Sequence, residues 1–180
     1  LPQVEAVKDK GYEILYCTEY VDEFTIMTLR KYKDFEFKNV CNDSIDLDTK
    51  EEKEELAKKN DNAKDMFKTM AEAVSEVKSI RFTNKLKNHP VCLSSDGEIS
   101  VEMEKAMNAM PFDNDVKASK VLEINENHPI AKKLENLYTT DKEELKNMTK
   151  VLYAQARLIE GLSIENPTEI SNLICEYLSK

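Results

Sequence analysis

The chain has 180 residues, 41% hydrophobic and 34% charged, with 35 acidic against 26 basic side chains for a formal net charge of −9. That length accommodates one large domain or two small ones, and the composition describes a heavily solvated, helix-rich protein with limited core material. Three glycines (Gly11, Gly97, Gly161) exclude a glycine-rich phosphate loop, no apolar run approaches the ~20 residues that cross a bilayer, and the acidic balance argues against nucleic acid as a partner.

The first 45 residues alternate in an α/β manner. Val4, Ala6 and Val7 predict a short helix stopped by Gly11, and Tyr12-Glu13-Ile14-Leu15-Tyr16-Cys17 predicts a strand. Val21, Phe24, Ile26, Met27 and Leu29 fit a helix entered through Asp22 and Glu23. Phe35 to Val40 alternates with period two like a half-exposed strand. The chain begins Leu1-Pro2-Gln3, so we expect a piece of something longer.

Residues 46–61 carry eleven charges in sixteen positions and predict a solvated connector. Thr49 with Glu52 three residues on is a capping-box signature, so a helix is expected to start there. Ala63, Met66, Phe67, Met70, Ala71, Val74 and Val77 then form one apolar stripe that should open the next core. Three short strands follow, built around Ile80/Phe82, Val91/Leu93 and Val121/Leu122/Ile124, with Pro90 at the start of the second.

Between the second and third strands lies an amphipathic segment, Ile99 to Met110. Ile99, Met103, Ala106, Met107 and Met110 share one helical face, and Phe112 sits just beyond it. Such a stripe is ordinarily core, but pliable thioethers also suit surfaces that accept several partners, so two readings stand. Asn127-His128-Pro129 opens a further helix through Leu137.

The last forty residues predict a helical hairpin. One helix starts near Asp141, carries Leu145, Met148, Val151, Leu152, Leu158, Ile159 and Leu162, and stops around Gly161. The other has Asn166 as cap, Pro167 in the first turn, Glu169 at the capping-box position and the stripe Ile170, Leu173, Ile174, Tyr177, Leu178. Two amphipathic helices at a chain end either pair within the molecule or meet a twin hairpin across a two-fold axis.

No nucleophile, base and acid can be assembled from local spacing, and His89 and His128, each beside a proline, read as turn or cap residues. Cys17, Cys41, Cys92 and Cys175 are too far apart for a zinc frame and read as reduced core thiols. No catalysis is expected within the chain.

Several motifs in order carry a family resemblance: Gly11-Tyr12-Glu13 leading to Tyr20-Val21-Asp22-Glu23, the strand-loop-strand ending at His89-Pro90, the S-x-x-M-E-x-x-M helix at Ser100 to Met107, and L-E-I-N-x-x-H-P-I at Leu122 to Ile130. Over nearly its whole length the chain resembles the C-terminal part of the ninety-kilodalton heat-shock protein family of stress-response chaperones, above all its bacterial form. The resemblance implies an α+β fold: residues 1–45 as the small α/β end of a middle domain, 46–62 as a charged helical connector, and 63–180 as a C-terminal dimerisation domain. This last unit would combine a mixed three-stranded sheet with helices and a terminal hairpin. It implies homodimerisation through the last two helices, with Leu152, Leu158, Ile159, Leu162, Ile170, Leu173, Ile174, Tyr177 and Leu178 in the seam. It also implies client-protein contact through Ile99, Met103, Ala106, Met107, Met110 and Phe112, whose methionines are then expected to be substantially exposed. ATP and Mg would belong to an N-terminal domain outside this chain, and no cofactor is expected here. The chain ends Tyr177-Leu178-Ser179-Lys180, without an acidic M-E-E-V-D tail, so recruitment of tetratricopeptide co-chaperones is not expected and a bacterial cytoplasmic setting is. A purely structural dimerisation module and a small α/β enzyme are the competing readings.

Overall fold

The computed structural model describes residues 2–42, 48–110 and 116–179. The fold is α+β. Helix α1 (Gln3–Asp9) buries Val4 and Val7 and ends before Gly11, whose φ of +78° is the left-handed turn that glycine adopts without a Cβ clash. The strand expected at Tyr12–Cys17 is absent. The segment is irregular, Tyr12, Leu15 and Tyr16 are 60–64% exposed, and no described strand lies alongside to take up its backbone groups.

Helix α2 (Tyr20–Leu29) forms where the apolar spacing predicts it. Asp22 accepts from the backbone N–H groups of Thr18 and Glu19 at 2.9 and 3.0 Å, which holds its carboxyl below the usual carboxylate range. The following strand is far shorter than the alternation suggests. Only β1 (Lys31–Tyr32) and β2 (Phe35–Glu36) pair, as an exposed hairpin.

Thr49 starts α3 (Lys50–Asn62) through the expected capping box, its Oγ1 accepting from Glu52 N at 3.2 Å while Glu52 Oε2 accepts from Thr49 N at 2.7 Å. The charged helix runs unbroken through Asn60-Asp61-Asn62 and turns at Ala63 into α4 (Lys64–Ala71), which buries Met66, Phe67 and Met70.

The three expected strands, β3 (Val77–Thr83), β4 (Val91–Ser95) and β5 (Lys120–Asn125), form one mixed sheet in the order β3-β5-β4. β3 runs parallel to β5 and β4 antiparallel to it. On the outer edge of β3, Asn60 replaces a neighbouring strand, its Oδ1 accepting from Phe82 N at 2.8 Å and its Nδ2 donating to Phe82 O at 3.2 Å. Ile80, Phe82, Val91, Leu93, Leu122 and Ile124 form the core side of the sheet, with Phe67 edge-on to Phe82 at 5.0 Å between centroids.

Helices α6 (Pro129–Thr140) and α7 (Lys142–Ile159) supply Ala131, Leu134, Leu145, Met148 and Leu152 to the same core. His128 caps α6, its Nδ1 accepting from Ile130 N, and Asp141 caps α7. Helix α8 (Pro167–Leu178) completes the hairpin, but its expected capping box is absent, since Asn166 makes no side-chain cap and Glu169 instead accepts from Lys150 Nζ at 2.6 Å. Between β4 and β5, α5 (Val101–Asn108) starts at Ser100, whose Oγ accepts from Met103 N at 2.9 Å. None of the described helices is long and apolar enough to cross a membrane.

Candidate functional site

The terminal hairpin divides its apolar residues between two directions. Leu152 belongs to the chain's own core, Leu173 is buried, and Leu162 and Tyr177 pack against that core. Ile159 and Ile170 are half-buried. Leu158, Ile174 and Leu178 point away, 61%, 41% and 82% exposed. Five apolar residues at i, i+3, i+4, i+7 and i+8 make a stripe wider than one contact needs, so α8 holds the molecule with Leu173 and Tyr177 and presents Ile174 and Leu178.

A polar network fixes the hairpin. Arg157 Nε donates to Ser163 O at 2.7 Å, Arg157 Nη1 pairs with Glu76, and Tyr153 Oη donates to Glu76 Oε2 at 3.0 Å, so the turn between α7 and α8 is tied to the entrance of β3. Burial pushes the Tyr153 phenol up to about 12. The network walls a cleft of about 270 Å³ lined by residues 73–76, α7 and the start of α8. On that wall Arg157 pairs with Glu76 and Glu165, and Lys150 pairs with Glu169.

The second surface is α5. Val101, Met103 and Ala106 are buried, at 2%, 8% and 5% exposure, Ile99 and Met107 are half-buried, and Met110 is 43% exposed. Phe112 lies outside the described residues. The expectation that the three methionines are substantially exposed is therefore corrected: Met103 is buried, Met107 is half-buried and Met110 alone of the three is largely open to solvent. The helix is also held in place by a ring of polar ties that the apolar stripe does not announce. Ser100 Oγ donates to Glu23 Oε1 of α2, Lys105 Nζ donates to the backbone oxygen of Glu160 at 2.6 Å, and Glu104 accepts from Ala118 N at 2.7 Å and from Lys120 Nζ at 2.7 and 2.8 Å.

Glu160, at the end of α7, is one of three buried charged residues that sequence reasoning missed, with Lys120 and Glu123. It is only 4% exposed, and Gln3 Nε2 donates both to its Oε1 at 3.2 Å and to Leu93 O at 3.0 Å, joining α1 to β4 and α7. Burial, reinforced by the nearby Glu102 carboxylate, pushes the Glu160 carboxyl up to about 7. Burial likewise raises the carboxyl of Glu23 and the thiols of Cys41 and Cys92. The expectation of four core thiols holds for Cys41 and Cys92, while Cys17 and Cys175 are exposed; all four are free. Among the described residues, no group of three His, Cys, Asp or Glu side chains is placed to hold a metal ion.

Comparison with known proteins matches the Hsp90 protein family model to residues 1–180. Curated relatives named "Chaperone protein HtpG" include those of Bacillus subtilis strain 168, 48% identical over 179 residues, and Clostridium botulinum strain Langeland, 49% identical over 180 residues. In both cases the match covers 99% of this chain and 29% of the relative. The same-named protein of Clostridium perfringens strain 13 is 48% identical over 179 residues, again 99% of this chain and 28% of the relative. The chain thus spans less than a third of the relatives it matches.

Proposed function

The chain belongs to the Hsp90 family, and from that premise we propose that it is the homodimerisation and client-binding region of a molecular chaperone, acting in a bacterial cytoplasm. In this reading residues 1–45 close a middle domain, 46–62 connect, and 63–180 dimerise. The observation that carries it is the outward face of the hairpin. Leu158, Ile174 and Leu178 are too large and too exposed to serve the chain's own core, and they sit on a hairpin that Arg157 and Lys150 hold rigid. A twin hairpin across a two-fold axis would bury them as a four-helix bundle.

Such a junction matters mechanically. In a longer protein, a permanent link at one end keeps the other domains of two subunits at high effective concentration, so their closure becomes an intramolecular event. The test is Ile174→Asp with Leu178→Asp, read by light scattering. A charge pair in the seam should dissociate the dimer at micromolar concentration and leave the monomer's melting temperature nearly unchanged. A variant that stays dimeric places the seam elsewhere.

The burial of Met103 and Ala106 favours a second reading, a dimerisation module with no client contact, because among the described residues of the stripe it leaves Ile99, Met107 and Met110 within reach of a partner. Affinity for a permanently unfolded protein separates the two. Met107→Ser with Met110→Ser should weaken it if α5 meets clients, and the structural module has no such affinity to lose.

A further inference from the structure

Helix α5 is buried without belonging to the contiguous core. Val101, Met103 and Ala106 stand outside the cluster that unites the sheet with α4, α6 and α7. Polar ties hold α5 down along its length: Ser100 to Glu23 at its start, Lys105 to the backbone oxygen of Glu160 in its middle, and Glu104 to Lys120 and Ala118 N alongside. The apolar stripe also runs from a closed end at Val101 and Met103 to an open one at Met110. A short helix outside that cluster, tied down by several water-replaceable hydrogen bonds, can open without the main core opening with it.

We propose that α5 is a latched client helix: the clasp from Ser100 to α2 and from Lys105 to the end of α7 keeps Met103 and Ala106 covered, and its release offers them to an unfolded apolar polypeptide. This rests on the reading of α5 as a client surface and adds a closed state to it. The far end of the clasp is the backbone oxygen of Glu160, at the end of the first helix of the hairpin, while the bonds of Gln3 to Glu160 Oε1 and Leu93 O are separate from it and survive its release. A client that binds the open helix better than the closed one shifts the population by that difference in affinity.

The test uses the full 180-residue chain carrying Ala106→Cys, with maleimide modification mapped residue by residue. The buried thiol of Cys92 serves as the internal reporter of global opening. Lys105→Met removes a charged donor while keeping the aliphatic stem, so labelling at position 106 should speed up about tenfold with Cys92 still protected. Capture of reduced, carboxymethylated lactalbumin should tighten in step, and Lys105→Arg should restore both. Unchanged labelling at 106 overturns the latch, and in that case the client reading of α5 still stands or falls separately on Met107→Ser with Met110→Ser. Faster labelling with unchanged capture also overturns the latch, since the released helix then offers a client nothing more. If Lys105→Met also exposes Cys92, hydrogen exchange on the unsubstituted chain decides. Amides 102–108 that exchange together and faster than those of β5 support the latch, and amides as slow as β5 overturn it.

Discussion

Replacing Glu160 by Gln should change how stability depends on pH, with a sign that the structure fixes. The Glu160 carboxyl is pushed up to about 7 by burial, from an ordinary value of 4.5. A folded state that holds its proton more tightly than the unfolded chain has its full stabilisation below the unfolded value. That stabilisation is lost as pH rises through the folded one. Between pH 4.5 and 7 the native protein must therefore lose stability from this residue, and above 7 the loss is complete. The interval, at about 1.4 kcal/mol per pH unit, amounts to about 3 kcal/mol. In a domain of this size that corresponds to roughly 6–12 °C in melting temperature. The assay is thermal unfolding by circular dichroism from pH 4.5 to 8 on the parent and Glu160→Gln, taken as a difference so that other carboxylates cancel. The variant should gain on the parent steadily up to pH 7 and hold a constant lead beyond. A difference that is flat across the range, or that shrinks as pH rises, would refute the burial argument.

Leu173→Ala, on the inward side of α8, should cost about 2–5 kcal/mol and lower the melting temperature of the chain whatever its oligomeric state. Thr49→Ala should cost about 1 kcal/mol by removing the α3 cap, visible as faster hydrogen exchange over residues 50–53 and little elsewhere. Arg157→Met should release the turn between α7 and α8, and faster exchange at residues 163–166 with β5 still protected is the expected pattern.

Most of the chain from Thr49 onward was legible before any coordinates. Capping and first-turn signals placed α3 and α6, and the apolar stripes of α4, α7 and α8 were strong enough to find their own core. Long-range choices were not legible. Nothing local to β3 says that it lies parallel to β5, because that pairing is fixed by packing between residues more than forty positions apart. Tyr12 to Cys17 alternates like a strand, yet alternation reports only a preference, and no described strand lies beside it to complete a ladder. The α5 stripe was found and its direction misjudged, since the ties from Ser100, Glu104 and Lys105 reach residues 16 to 77 positions away. Glu160 looked like an ordinary charge near a helix end, and only the arrival of Gln3 and Glu102 around it makes it a buried acid. For the hairpin, periodicity supplied the full apolar list, but the division of Leu173 and Tyr177 from Ile174 and Leu178 required the position of the sheet.

The central claim is that the hairpin's outward face joins two copies of this chain. The most direct test is the solution mass of the unaltered 180-residue protein by light scattering across a concentration series from nanomolar to high micromolar. The account predicts twice the 20.7 kDa chain mass at micromolar concentration and above. A constant 20.7 kDa throughout would contradict it and leave Leu158, Ile174 and Leu178 without the partner assigned to them.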